Sequence, residues 1–98
     1  MEKLSVPELH ERLTSVPNWR ITDEKWIERK YRFLDFLNGI EFVQKVADLS
    51  ENVNHHPLIS IDYKLVTLKI TSWHARGLTA LDFDLANKYD DLYLKIKK

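Results

Sequence analysis

Apolar residues along this chain repeat with two different periods, and the changes of period mark its elements. Ser5-Val6-Pro7-Glu8 predicts a helix start: serine can cap, proline is tolerated in the first turn, and a glutamate three residues after the cap completes a capping box. Leu9 and Leu13 then share a face, and the helix ends near Ser15-Val16-Pro17, where proline forbids continuation. From Trp19 the period falls to two. Trp19 and Ile21 alternate with Arg20 and Thr22, and Asp23-Glu24 supplies a turn. Ile27, Arg29, Tyr31 and Phe33 then alternate with Trp26, Glu28, Lys30 and Arg32. This predicts an antiparallel hairpin with one wet side and one side for helices to cover.

Asp35 can cap a second helix, with Phe36, Leu37, Ile40, Val43, Val46 and Ala47 at helical spacing and Asn38, Glu41, Lys45 and Asp48 opposite. Gly39 costs that helix up to about 1 kcal/mol relative to alanine, which points to close packing or a tight entry turn. The helix ends near Val53. Beyond Pro57, Ile59, Ile61 and Tyr63 share one parity while Val66, Leu68 and Ile70 take the other, the slip a tight turn requires. The result is a second hairpin, roughly Leu58 to Asp62 and Leu65 to Ser72, followed by the loop Trp73 to Gly77, where glycine gives freedom to bend. Thr79-Ala80-Leu81-Asp82 has the form of a capping box with aspartate in place of glutamate, and a last helix follows with Leu78, Leu85, Ala86, Tyr89, Leu92 and Tyr93 at helical spacing. The order α-β-β-α-β-β-α predicts an α+β fold, three helices on one face of a four-stranded antiparallel sheet.

Ninety-eight residues, 44% of them hydrophobic, suit one domain over 1–98. Fifteen basic residues balance fifteen acidic ones, so no overall field draws the chain to nucleic acid or anionic lipid. The one basic run, Lys95-Ile96-Lys97-Lys98, reads as a solvated helix end. With no cysteine there is neither a disulfide framework nor a thiolate metal site. No apolar stretch reaches spanning length, and the N-terminus lacks a signal-peptide layout, so a cytoplasmic protein without membrane contact is expected.

Candidate chemistry centres on Glu51-Asn52-Val53-Asn54-His55-His56-Pro57, which sets two of the four histidines side by side where helix gives way to strand. Imidazole is the side chain whose ordinary titration falls between pH 5 and 8, so a pair can both give and take protons at neutral pH. Pro57 pushes His56 into extended backbone, and Asn54 tolerates the left-handed turn that closes a helix. Adjacent residues of a strand point to opposite sides. If His55 still belongs to the helix exit, the two rings can nevertheless converge.

Glu51-x-x-x-His55-His56-Pro57, five residues then Tyr63, nine residues then Trp73, and Gly77-Leu78-Thr79 with Asp82 together resemble the pterin-4a-carbinolamine dehydratases, over about Trp19 to Asp90. The resemblance implies dehydration of a 4a-hydroxytetrahydropterin to quinonoid dihydropterin in pterin recycling, without metal or organic cofactor, by a homodimer or homotetramer. It also implies His55 and His56 as catalytic, and Glu51, Pro57, Asp82, Trp19 and the third position as substrate contacts. Many members carry histidine where this chain has Trp73. Trp73 could stack on the pterin, while His74 is expected on the other side of the strand unless the loop bends early.

Two other readings fit the same residues. Glu51, His55 and His56 could approach as metal ligands, although no fourth is evident. A non-catalytic oligomeric module, such as the transcription cofactors among animal relatives, could use an apolar helix patch at Leu92, Tyr93 and Ile96.

Overall fold

The computed structural model describes residues 2–96. Seven elements follow one another: α1 (Val6–Leu13), β1 (Arg20–Thr22), β2 (Trp26–Arg32), α2 (Phe36–Val53), β3 (Leu58–Asp62), β4 (Leu65–Ile70) and α3 (Ala80–Ile96). The strands form one antiparallel sheet in the order β1-β2-β4-β3. The two hairpins therefore join through β2 and β4, and the α+β order read from the sequence is the order found. Among the described residues no helix is long and apolar enough to cross a membrane.

Register explains the two-sided sheet. Ile27 lies opposite Ile70, Arg29 opposite Leu68 and Tyr31 opposite Val66, so all six point to one side. Five of them have no exposed surface, and they form the core with Phe42 and Val46 of α2 and Phe83, Leu85, Ala86 and Tyr89 of α3. Leu9 and Leu13 of α1 rest against its margin. The first helix carries the expected capping box, with the Ser5 backbone N–H donating to Glu8 Oε1 at 2.8 Å. That bond holds the Glu8 carboxyl below its ordinary range.

Two expectations about helix faces need correction. Phe36 and Leu37, read as core, are 42% and 73% exposed, and α2 instead buries Gly39, Phe42, Val46 and Ser50. Gly39 accounts for the difference. A Cβ there would sit 3.3 Å from Phe33 Cδ2 and 3.6 Å from Val66 Cγ2, so the helix approaches the sheet along its bare glycine, and that contact sets its rotation. At the other end Tyr93 and Ile96 are core residues and Leu92 is half-buried, so the anticipated outward patch is not there. Lys97 and Lys98 lie outside the described residues.

The single cation on the buried side of β2 is neutralised from α3. Arg29 Nη1 donates to Asp90 Oδ1 at 2.7 Å, and the same oxygen accepts from Tyr31 Oη at 2.6 Å and Trp19 Nε1 at 3.0 Å. The guanidinium also lies 4.4 Å from the Tyr31 ring centroid, a cation–π contact. One carboxylate thus fastens the last helix to β2 and to Trp19, just ahead of β1.

Burial, then the neighbouring Asp90 charge, pushes the Tyr31 phenol far above its ordinary range, and burial raises Tyr89 as well. Unfolded tyrosines lose their protons near pH 10, whereas these two keep theirs in the native state. The unfolded chain then binds fewer protons, so stability falls as pH rises past about 10, by up to roughly 1.4 kcal/mol per pH unit for each tyrosine. Urea melts between pH 8 and pH 11, roughly spanning that titration, are expected to show the decline, and Tyr31→Phe to flatten it. An unchanged slope in the variant would contradict this account.

Candidate active site

Helix α2 ends in a way that delivers both histidines to one place. Asn54 adopts the left-handed conformation (φ 53°, ψ 46°), and the His55 backbone N–H returns to the Ser50 carbonyl at 3.1 Å. This six-to-one closure fixes His55 just outside the helix. Pro57 then draws His56 toward β3. Both rings line a cavity of about 380 Å³, together with Ser72, Trp73, His74 and Thr79.

Each imidazole has its own carboxylate. His56 Nε2 lies 2.5 Å from Glu51 Oε2, a pair on the surface. His55 Nε2 lies 2.8 Å from Asp82 Oδ1, and Asp82 has no exposed surface. Ser72 Oγ donates to Asp82 Oδ2 at 2.7 Å and the Thr79 backbone N–H donates to it at 2.8 Å. Since Ser72 spends its only hydroxyl proton there, Thr79 Oγ1 must be the donor in the 2.8 Å contact between the two hydroxyls. A carboxylate receiving these bonds only accepts, so His55 presents Nε2–H to it. Among the described residues Nδ1 has no hydrogen-bond partner.

The anticipated capping box at Thr79 is half formed. Asp82 reaches back to the Thr79 N–H, but the Thr79 hydroxyl goes to Ser72 instead. An acid that caps α3 is thereby also the acid behind His55.

A closed loop builds the far wall. β4 stops at Ile70, before the expected Ser72, and Ser72 bridges to Gly77, with Ala75 N–H to Ser72 O and Arg76 N–H to Trp73 O, both at 3.2 Å. The early bend brings Trp73 and His74 to the same cavity, although their positions along a strand would have parted them. Arg76, at φ 59°, supplies the left-handed turn that had been expected of Gly77. A Cβ at Gly77 would lie 2.5 Å from Lys3 Cδ, on a flexible, exposed side chain that can move aside.

Other candidates lie elsewhere. Trp19 is buried in the core, its indole N–H on Asp90, and does not line the cavity. Pro57 shapes the chain behind His56 without lining it. Among the described residues no three His, Cys, Asp or Glu side chains gather as a metal would require, since Glu51 and Asp82 each take one histidine. Ser72 and Thr79 belong to the constellation; from the sequence Thr79 reads as a helix cap and a motif residue but not as a site residue, and Ser72 as none of these. The available signal was a pair of hydroxyl residues flanking the loop between the third-position tryptophan and Asp82. A larger cavity, about 430 Å³ beside α1, contains one histidine and no carboxylate–histidine pair, so the acid/base chemistry points to the smaller one.

His55, His56, Trp73 and His74 meet at one cavity, with Glu51 and Asp82 each paired to one of the first two. A model of the family described as pterin 4 alpha carbinolamine dehydratase matches residues 2–92. The chain belongs to that dehydratase family. It is 40% identical over 90 residues to a Picosynechococcus sp. protein, covering 92% of this chain and 97% of that one, and 42% identical over 90 residues to one from Koribacter versatilis, covering 92% and 95%. Both bear the name "Putative pterin-4-alpha-carbinolamine dehydratase". The transcriptional coactivator/pterin dehydratase of Brucella melitensis superposes with a TM-score of 0.90 at 27% identity, over 94% of this chain and 99% of that one. A pterin dehydratase-like RuBisCO assembly factor of the alpha-carboxysome shares the fold at 19% identity and a TM-score of 0.67, over 78% and 92%. In this member of the dehydratase family Trp73 borders the cavity and is 63% exposed.

Asp82→Asn is expected to lower stability by about 1–3 kcal/mol, the cost of a buried acceptor lost from its network. It also removes the preference of His55 for the Nε2–H form. Ring-nitrogen NMR of the histidines reads the tautomer directly, and a His55 signal identical in both proteins would refute the pairing.

Proposed function

We propose that this chain dehydrates 4a-hydroxytetrahydropterin. The C4a–O bond breaks and the hydroxyl leaves as water with a proton from one imidazole. The other imidazole takes the N5 proton, and a C4a=N5 double bond forms, giving quinonoid dihydropterin. Two proton carriers acting on neighbouring atoms are what this elimination needs. The observation that carries the reading is the pair of imidazoles on one cavity, each backed by a carboxylate, beside the exposed indole of Trp73. Asp82 orients His55, Glu51 orients His56, and Trp73 offers a flat surface for the pterin, with His74 at the rim. In the cell the reaction returns pterin to the tetrahydrobiopterin cycle after aromatic hydroxylation. A cysteine-free chain suits the reducing cytoplasm in which we place it.

We also propose that it works as a homo-oligomer. β3 is a sheet edge whose five residues are all exposed, and Ile59 and Ile61 face the helix side without cover. Phe36 stacks on Tyr63 beside them, and Leu37 stands free at the start of α2. Such an apolar edge suits pairing with a second copy. The alternative reading, a binding module without catalysis, draws on this same strip and on the names of the Brucella and carboxysome proteins, a transcriptional coactivator and an assembly factor.

Stopped-flow decay of chemically generated 4a-hydroxytetrahydropterin decides between them. His55→Ala and His56→Ala are each expected to slow the enzymatic decay at least tenfold, since positioned proton transfer contributes about 10²–10⁴-fold. Normal rates in both variants would sink the catalytic assignment. Sedimentation velocity tests the edge: Ile61→Lys is expected to shift the protein toward monomer, and an unaltered oligomer would place the interface elsewhere.

A further inference from the structure

Three cavities lie end to end around the 72–77 loop. The histidine cavity shares Ser72 and Trp73 with a smaller annex of about 210 Å³, and the annex shares Lys25 and Arg76 with the large cavity beside α1. Trp73 is the partition between the first two. It is held edge-on by Trp26 at 5.0 Å and an interplanar angle of 85°, and it leaves much of its own surface to solvent, so the partition is low.

Charge on the far side of the partition is of one sign. Lys25 and Arg76 are the charged residues lining the annex, and among the described residues neither forms an ion pair. The nearby acid Asp23 is taken by Lys69 at 3.4 Å, and Glu24 lines the third cavity rather than the annex. The loop holds this arrangement: Arg76 N–H bonds to Trp73 O, and Arg76, an exposed residue with left-handed backbone, lines the annex while Trp73 also borders the histidine cavity. A slot with two free cations beside a ring-binding cavity is complementary to a ring that carries an anion.

We propose that the annex receives an anionic substituent of the substrate, so that this chain prefers 4a-hydroxytetrahydropterins bearing a negatively charged group on the C6 side chain. C6 is bonded to N5, so a substituent there leaves the ring beside the reacting edge, next to Trp73, and can pass over its rim toward Lys25 and Arg76. This specificity rests on the dehydratase reading, while the annex itself rests on its own residues.

Binding and turnover separate the two. Fluorescence titration compares pterin-6-carboxylate with neutral 6-methylpterin, in the native protein and in the Lys25→Gln/Arg76→Gln double variant, whose glutamine keeps a side chain at the left-handed position. Two partly exposed cations are expected to favour the carboxylate by about tenfold in Kd at low salt. That ratio falls toward one in the double variant and at high salt. Equal affinities in the native protein, or a preference that survives the double substitution, overturn the annex. In parallel stopped-flow runs on the corresponding carbinolamines, turnover of both at equal efficiency with no binding preference leaves the dehydratase standing without the annex. A salt-sensitive preference with turnover of neither leaves the annex standing and removes the dehydratase.

Discussion

The buried carboxylate of Asp82 is the constraint on which the site depends. It joins segments distant in sequence: the residue just after α2, the residue at the end of the fourth strand's ladder, and the first N–H of α3. An unpartnered charge in such a place would cost several kcal/mol, so the three segments must arrive together or the acid cannot be buried at all. Burying this acid and bringing His55, Ser72 and Thr79 together are therefore one event here. Asp90 does a corresponding task further along α3, gathering Trp19, Arg29 and Tyr31 onto a single oxygen. The last helix is pinned at its start and past its middle by acids that face inward.

The two histidines are unequal in consequence. His55, with 13% of its side chain exposed, is locked between the helix exit and a saturated acceptor. His56, 50% exposed and paired with a carboxylate in solvent, can exchange protons with water. For the proposed elimination, one fixed imidazole and one in contact with the bulk would let both groups be reset after each turnover.

Much of this was legible in the residues. Periods of two and of three to four fixed the seven elements, because each element buries one side, and the Asn54-to-Pro57 stretch announced a rigid exit with two imidazoles. What escaped had to be decided by partners far along the chain. Trp19 reads equally well as core or as ligand platform until Asp90, 71 residues later, takes its N–H. The rotation of α2 could not be had from its own apolar residues, since Phe36 and Leu37 match the stripe as well as Phe42 does. The contact between Gly39 and Phe33 chose between them. His74 was placed by strand alternation, which fails where the strand ends early and Arg76 turns the chain.

The three tryptophans fall into two environments, and the molecule is thereby supplied with separate optical gauges. Trp19, sealed in the core with its N–H on a carboxylate, reports whether the chain is folded. Trp26 and Trp73, edge to face at the cavity wall, are close enough for their transitions to couple, so their circular dichroism follows the wall and any ring that settles against it. Denaturation and occupancy can accordingly be followed in one cuvette without attaching a label.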